Sequence, residues 1–421
     1  MTEIKPFKAF YYNPQKIGDL AKVVCPPYDV ISPEQQTFYH NQSEHNFIRI
    51  ILGKDRASDT DKDNKYTRAK GLFQKWIEED TLIQEEKPCI YFYRQEYKVM
   101  GERQTRMGFI ALMKLQDDHE AKIYPHENTH SKAKEDRLKL WSMLSANLSS
   151  IFVCFADSEK TVNKIFTKHV AGTSPMVDLI DDTGIHQVLW RLSDPVLIEQ
   201  IVQSLANQQL FIADGHHRYE VAKEYRRILQ AQGGKVDPHA PYNYVMTYFT
   251  NIESRDLRIF PMHRIVRRLT KKMDFLEEFF RSDRMKTREE LMILLAKAGQ
   301  NEHAFGLYTK EGIWLLRLKS KLLIDQYITE GSREYRELDA TILKTFVFDR
   351  VGVASEDIMY TSDVQEVIGK VDNGQADAGF IMNPVKISQL KAVALNGEKM
   401  PPKTTYFYPK VLSGLTIYKI D

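Results

Sequence analysis

The sequence predicts a mixed α/β protein with a second, α+β unit at its C-terminal end. Three observations carry this. Strand-like and helix-like stretches alternate from about residue 86 to 260. Two aromatic and β-branched runs, CIYFYRQEYKV and TRMGFIALMKL, flank the turn Met100-Gly101-Glu102-Arg103 as a hairpin. Beyond His263 the pattern restarts. A chain of 421 residues suggests two or three folded units. The division expected here is a first domain over 1–260, with its mixed-sheet core at about 86–260, and a C-terminal domain over 261–421.

The elements follow in order. AKVVCPPYDVIS is an apolar run stopped by Pro26-Pro27, because proline fixes φ and removes an N–H. Ser32-Pro33-Glu34 reads as a helix start, with Ser32 as N-cap and Pro33 at the first helical position. Residues 61–79 form a helix with Leu72, Phe73, Trp76 and Ile77 as its stripe. Residues 131–146 form another, with Leu138, Trp141, Leu144 and Leu148 on one face. IFVCFAD and QLFIAD are short strands, the second ending at Asp214. A helix from about His216 to Ala231 and the strand PYNYVMTYFTNI complete the first domain. The second is expected to hold helices near 273–280, 288–297 and 335–348. Its hairpin turns at Lys310-Glu311-Gly312, AGFIMNP is a strand, and MPPKTTYFYPKVLSGLTIYKI is a closing strand region.

Composition narrows the function classes. Lys plus Arg total 59 and Asp plus Glu total 57, a formal net charge of +2. That balance argues against a dedicated nucleic-acid binder, which usually carries a strong basic excess. A chain with 11% aromatic residues can bury a sizeable core, which excludes intrinsic disorder. Cys25, Cys89 and Cys154 are too few and too scattered for a disulfide framework or a thiolate zinc site. MTEIKPFKAFYYN has no apolar h-region, and no window approaches eighteen uninterrupted apolar residues. The expectation is a cytoplasmic protein that does not span a membrane.

The sharpest chemistry lies in Asp214-Gly215-His216-His217-Arg218. An apolar strand runs into Asp-Gly and then into a helix whose first turn is basic. Basic residues oppose the helix dipole there, so a site that accepts them points to a bound polyanion. First-turn N–H groups bind phosphate, Gly215 lets it approach the backbone, and His216, His217 and Arg218 add charge-assisted bonds. The bland alternative is a strand–turn–helix with surface histidines.

Tyr124-Pro125-His126-Glu127-Asn128-Thr129-His130 literally matches H-E-x-x-H. That zinc pattern needs both histidines one turn apart on a helix. Pro125 puts His126 at a helix start at best, and Asn128, Thr129 and Ser131 are weak helix formers. A loop carboxylate leading into a helix capped by Ser131 fits better, with Lys134, Asp136 and Arg137 near its N-terminal half. Glu127 is then a candidate general base or acid. Tyr28 and Asp29, held by the Pro26-Pro27 turn, are candidates for a substrate's amino group. Phe380-Ile381-Met382-Asn383-Pro384 and the stretch from Met400 to Lys410 are weaker signals. No G-x-x-x-x-G-K-[ST], G-x-G-x-x-G or G-x-S-x-G motif is present, which argues against Walker, Rossmann and α/β-hydrolase sites.

PPYDVIS, PHENT with the following DRL, IADGHHRYEVA, MNP and MPPKTTYFYPK occur in order over nearly the whole chain. On these stretches the sequence is identified as a member of the prokaryotic domain-of-unknown-function family one thousand and fifteen, found beside serine-biosynthesis genes. The DGHHR stretch with the upstream P-H-E also resembles the free L-serine kinases of the ParB/sulfiredoxin superfamily. The resemblance implies a ParB/sulfiredoxin-like catalytic domain. It implies that Asp214, Gly215, His216, His217 and Arg218 cradle nucleotide phosphates and that Glu127 is the catalytic base. The long insertion between the two motifs departs from the compact kinases.

The expected function is therefore a kinase that moves a phosphoryl group from ATP or ADP to free L-serine or a similar small hydroxyl compound. Glu127, His126 and Asp214 form the catalytic set, and Tyr28, Asp29, Thr129 and Arg137 the substrate set. Asp214 is either the Mg²⁺ ligand or a lock on the turn; one carboxylate plus phosphate oxygens can suffice for magnesium. A homodimer is compatible with the sequence. The rivals are a ParB-like nucleotide-binding module acting on DNA, a zinc hydrolase through His126 and His130, and a non-catalytic regulator that only binds nucleotide.

Overall fold

The structure is a computed structural model that describes residues 2–420 apart from 100, 118–121, 130, 234–236, 270 and 272. It is mixed α/β, and the chain divides into two compact units. The first comprises Met1–Pro125, Thr129–Leu257 and Pro409–Asp421; the second comprises His126–Asn128 and Arg258–Tyr408. The main change of unit falls after Leu257. Two short exchanges accompany it: His126–Asn128 goes with the second unit and the C-terminal tail with the first.

Among the described residues, nine strands build the sheet of the first unit. Its order is Ile123–Tyr124, Leu210–Asp214, Ile151–Phe155, Tyr244–Asn251, Glu102–Lys114, Ile90–Val99, His186–Leu192 and Val177–Ile180, with Ile4–Lys5 pairing on the long 102–114 strand. The pairs 210–211 with 123–124 and 247–251 with 151–155 are parallel, and the others are antiparallel. The central hairpin is the expected one, with Tyr91 opposite Ile110 and Val99 opposite Glu102.

Side chains alternate across a strand, so the sheet has two faces, and here they are unlike. Phe92, Phe109 and Phe249 lie on one of them, with the Phe109 and Phe249 rings stacked at 5.0 Å and Trp190 opposite Phe92 in register. The other carries Asp214, Phe152 and Tyr248, opposite one another in turn, and Arg106, Gln95 and Gln187, likewise opposite in turn, with Arg106 four residues along its strand from Ile110, the partner of Tyr248. The C-terminal segment crosses this second face. Arg106 Nη2 donates to the Pro409 carbonyl at 2.6 Å, and Gln95 Nε2 donates to the Lys410 carbonyl at 2.9 Å. The tail continues through Ser413 to Cys25, Ile417 to Phe10 and Tyr418–Lys419 to Ala146–Asn147.

The helices of this unit largely match the sequence pattern. Pro33–Gln42 starts with a Ser32–Gln35 capping box. Lys65–Glu78 is capped by Asn64 and buries Ala69, Phe73 and Trp76. Ser131–Leu144 buries Leu140, Trp141 and Leu144 but also Arg137, while Leu138 is only half-buried. Ser131 is its first helical residue rather than its cap.

The second unit holds a six-stranded sheet ordered Phe280–Arg284, Gly312–Leu318, Ala304–Thr309, Ala378–Ile381, His263–Val266 and Ile358–Thr361. Alternate residues separate into two apolar cores. Val266, Phe305, Leu307, Leu316 and Phe380 enter one; Ile265, Ala304, Tyr308, Leu315 and Ile381 enter the other. Two helix expectations are corrected here. The helix near 273–280 is only Leu276–Phe279, because Phe280 starts an edge strand that pairs with Leu318. The helix over 335–348 is interrupted at Leu338, which is fully buried in extended backbone between Arg333–Arg336 and Asp339–Leu343.

Candidate functional site

The Leu210–Asp214 strand reaches the turn through a bulge. Ile212 pairs with Val153, but Asp214 pairs with Phe152, so the register shifts between them. A bulge re-aims a side chain, and here it sets Asp214 on the polar face. Gly215 follows at φ +88°, a conformation that L side chains rarely adopt. The helix His216–Gly233 then begins.

Asp214 is held at both oxygens. Oδ2 accepts from Arg218 Nη2 at 2.5 Å, and Oδ1 accepts from Lys410 Nζ. Arg218 also donates from Nη1 to the Ser150 carbonyl. The guanidinium folds back over Gly215, where a Cβ would stand 3.0 Å from its Cζ and Nε. On that side the room left by glycine is therefore filled by Arg218 and not by open space for a phosphate. His216 and Arg218 are buried and His217 is half-buried, so the basic first turn is packed and not a set of surface side chains.

The electrostatics follow from this packing. Burial alone would raise the Asp214 pKa, but Lys410 and then Arg218 outweigh it and hold the carboxyl well below the usual range, with His216 adding to the effect. Burial alone would lower the Arg218 pKa, but Asp214, Asp29 and Tyr28 raise it. The Tyr28 phenol is pushed up to about 12 by burial and then by Asp29, while Arg137, Arg218 and Asp214 also act on it. The Arg137 guanidinium lies 4.1 Å from the Tyr28 ring centroid, in cation–π contact. Arg137 donates to the Ile51 carbonyl at 2.5 Å and from Nε to Asp136 at 2.8 Å, and Tyr66 Oη donates to Asp136 at 2.7 Å. Of the residues singled out in the sequence, the first unit thus gathers Tyr28, Asp29, Arg137, Asp214, Gly215, His216 and Arg218.

His126 and Glu127 belong to the second unit. His126 is fully buried, with Nε2 3.1 Å from Thr405 Oγ1, and its carbonyl accepts from Met400 N at 2.7 Å. Thr405 Oγ1 donates to Glu127 Oε1 at 3.3 Å. Met400 and Thr405 therefore pack against His126 and Glu127. Residues 126–129 are not helical, so the pattern lacks the helix that H-E-x-x-H zinc binding requires. His130 lies outside the described residues. Thr129 is a half-buried residue of the first unit.

Magnesium was expected at Asp214. Both of its oxygens already face cations, and a metal ion there would have to displace Lys410 or Arg218. Among the described residues no group of three His, Cys, Asp or Glu gathers as a metal site. The donor set does not fit a magnesium held by Asp214, and the lock on the turn is the role its contacts describe. Of two further members of the site, Lys410 was only part of the Met400–Lys410 stretch read as a weak candidate lining for an anionic pocket, and Arg106 was missed from sequence. Lys410 lies 196 residues from its partner Asp214. Arg106 sits in a strand where the alternation of Met107, Phe109 and Ala111 places it on the polar side, which is ordinarily read as solvent. The repeated Lys and Tyr of PPKTTYFYPK were the only signal for the first, and none existed for the second.

Among the described residues no helix is long and apolar enough to cross a membrane. No curated protein matches the chain. Among solved structures, a conserved hypothetical protein from Pyrococcus furiosus is similar at 14% identity, over 74% of this chain and 95% of that one, with a TM-score of 0.35. A free serine kinase in complex with AMP is similar at 14% identity, over 71% and 86%, also with a TM-score of 0.35. SbnI with a C-terminal truncation, from Staphylococcus aureus, is similar at 12% identity, over 72% and 85%, with a TM-score of 0.37. A family model described as "Protein of unknown function (DUF1015)" matches residues 4–341. The chain belongs to the DUF1015 family.

Proposed function

We propose that this protein is a phosphotransferase that binds ATP or ADP at the 214–218 turn and phosphorylates the hydroxyl of a small metabolite, with free L-serine the favoured acceptor. The observation that carries the reading is the strand–Gly215–helix turn. The first amides of a helix have no intrahelical acceptor and sit at the positive end of its dipole. Here that end also carries Arg218, fixed by Asp214 and the Ser150 carbonyl before any ligand arrives. Phosphoryl transfer depends mainly on positioning and charge stabilisation, and a preorganised turn supplies both.

Glu127 is the proposed base. The acceptor oxygen bonds to the terminal phosphorus, the bridging P–O bond of the donor breaks, and the hydroxyl proton passes to the Glu127 carboxylate. His126, buried against Thr405, positions that loop. Tyr28 and Asp29 are assigned to the acceptor's amino group, and Arg137 and Thr129 to the rest of the acceptor.

The test is direct. The chain is incubated with MgATP or MgADP and a panel of small hydroxyl compounds that includes serine, and phosphomonoester is followed by ³¹P NMR. The expected result is turnover with serine that falls about 10²- to 10⁴-fold in Glu127→Gln. No phosphomonoester from any acceptor, together with no nucleotide-dependent shift in Tm, would end the reading.

A further inference from the structure

In the second unit, Pro401-Pro402-Lys403-Thr404 form a turn beside the residues that hold Glu127. Pro402 has its φ fixed by its ring, and Lys403 follows at φ +53°, in the left-handed region. A residue with a Cβ takes up that region at a cost, and such backbone persists where the contacts around it over-determine it. Thr404 Oγ1 closes the turn by donating to the Pro401 carbonyl at 2.5 Å. The strand Tyr406–Tyr408 then pairs with Arg258–Phe260, and the Phe260 ring stacks on Tyr408 at 4.6 Å. The turn is thus anchored beyond Thr405, and it grips residues 126–127 from both of its ends. Before it, Met400 N donates to the His126 carbonyl at 2.7 Å. After it, Thr405 Oγ1 lies 3.1 Å from His126 Nε2 and 3.3 Å from Glu127 Oε1.

A hydroxyl between an imidazole and a carboxylate has a defined order of donors. An ionised carboxylate only accepts, and a threonine hydroxyl carries one proton. Thr405 gives that proton to Glu127 Oε1, so it accepts from His126, whose Nε2 must carry a proton. Both donors in the chain His126–Thr405–Glu127 therefore point toward the carboxylate. The last torsion of a glutamate is broad, so hydrogen bonds decide how its oxygens are turned. A general base must keep an oxygen within about 3 Å of the group it deprotonates. The 3.3 Å separation is long for an O–H···O bond, as catalytic hydrogen bonds often are before the substrate binds and tightens them.

We propose that Thr405 is the positioning residue of Glu127: its hydroxyl, backed by His126 Nε2–H, sets the orientation of the carboxylate that takes the acceptor's proton. Thr405 itself neither gains nor loses a proton in that step. This inference rests on the reading of Glu127 as the base of a phosphotransferase.

The experiment is steady-state kinetics of the full chain with MgATP or MgADP and serine. Thr405→Val keeps the branched side chain and removes the hydroxyl. Its kcat is expected to fall about 10- to 100-fold, the range for one hydrogen bond to a charged group, while KM for nucleotide and serine moves by no more than about twofold. Thr405→Ser keeps the hydroxyl and is expected to restore most of kcat. Wild-type kcat in Thr405→Val, or an equal loss in Thr405→Ser, overturns the proposal, and Glu127 stands as the base as long as Glu127→Gln loses turnover. Where Thr405→Val fails to fold, ¹H–¹⁵N NMR of the wild-type histidines decides, with the His126 signal assigned by its absence in His126→Gln. His126 Nε2 is expected to be protonated at neutral pH, and a lone pair there overturns the proposal. No turnover by the wild-type chain ends the reading of Glu127 as a base, and the Thr405 assignment falls with it.

Discussion

The two sheets of this protein use their faces differently. The six-stranded sheet of the second unit sends alternate residues into two apolar cores, so both of its faces serve packing. The nine-stranded sheet of the first unit gives one face to aromatic packing and the other to Asp214, Arg106, Gln95 and Gln187. Buried polar groups cost free energy unless they are fully bonded, so a chain seldom keeps a row of them for stability alone. The polar face marks where chemistry is expected. The doubly apolar sheet reads as scaffold.

The widest test of that contrast is removal of residues 409–421. The first unit loses the segment that covers its polar face, together with buried Val411, Leu412, Leu415, Ile417 and Ile420. At about 1.5–3 kcal/mol for each side chain, the loss is comparable to the roughly 5–15 kcal/mol that stabilises a typical domain. Scanning calorimetry is expected to show the first unit without a cooperative transition. A truncated chain that melts like the full one would mean that the tail is not integral to this sheet.

The next effect is electrostatic. Asp214→Ala leaves Lys410 and Arg218 facing each other without their carboxylate, and breaking a buried pair in this way costs about 3–5 kcal/mol. Its pH signature has a definite sign. The folded pKa of Asp214 is depressed, so its contribution is complete above the unfolded value of about 3.9 and is lost as pH falls below it. The second unit differs. His263 accepts from Met382 N at Nδ1, and burial, followed by the charge of Arg264, lowers its pKa to about 4. Its unfolded form takes up a proton from about pH 6.5 downward while the folded form does not. Stability is therefore lost between about pH 6.5 and 4, by up to about 3 kcal/mol. Urea unfolding followed at several pH values should show the second unit weakening as pH falls from about 6.5 to 4, before the Asp214 limb begins; His40 of the first unit, lowered to about 4 by burial and then by Arg49, adds a limb of the same sign there. His263→Phe should remove the second unit's limb and leave the lower one unchanged.

Much of the fold was legible because its signals are local. The Ser32-Pro33 cap, the central hairpin and the strand–turn–helix at Asp214 each depend on neighbours in sequence. The errors arose where tertiary packing overrides pattern. Phe280 looks helical among Phe275, Leu276 and Phe279 but is drawn into an edge strand by Leu318. Arg137 and Arg106 look like surface charge and are buried, one over Tyr28 and the other over Phe152. The site was legible in its turn and not in its charge partners, because Lys410 meets Asp214 from the far end of the chain. The P-H-E loop was legible as a loop, but nothing in its sequence assigns His126–Asn128 to the second unit.

The finest test compares one glycine from each unit. Gly397 in the second unit has φ +72° and nothing within 4 Å of the place a methyl group would occupy, so Gly397→Ala carries only the left-handed backbone penalty, about 1–2 kcal/mol. Gly215 has nearly the same φ, +88°, but an added Cβ would lie 3.0 Å from the Arg218 guanidinium. The end of an arginine can ordinarily move, yet this one is pinned by Asp214 and the Ser150 carbonyl. Gly215→Ala should therefore cost more than Gly397→Ala, by roughly the 0.5–1.5 kcal/mol of one net hydrogen bond. Chemical denaturation measures the difference. Equal costs would show that Arg218 yields freely, and the turn would then be softer than its contacts imply. A larger cost at Gly215, accompanied by weaker ADP binding, would tie the rigidity of the turn to its ligand.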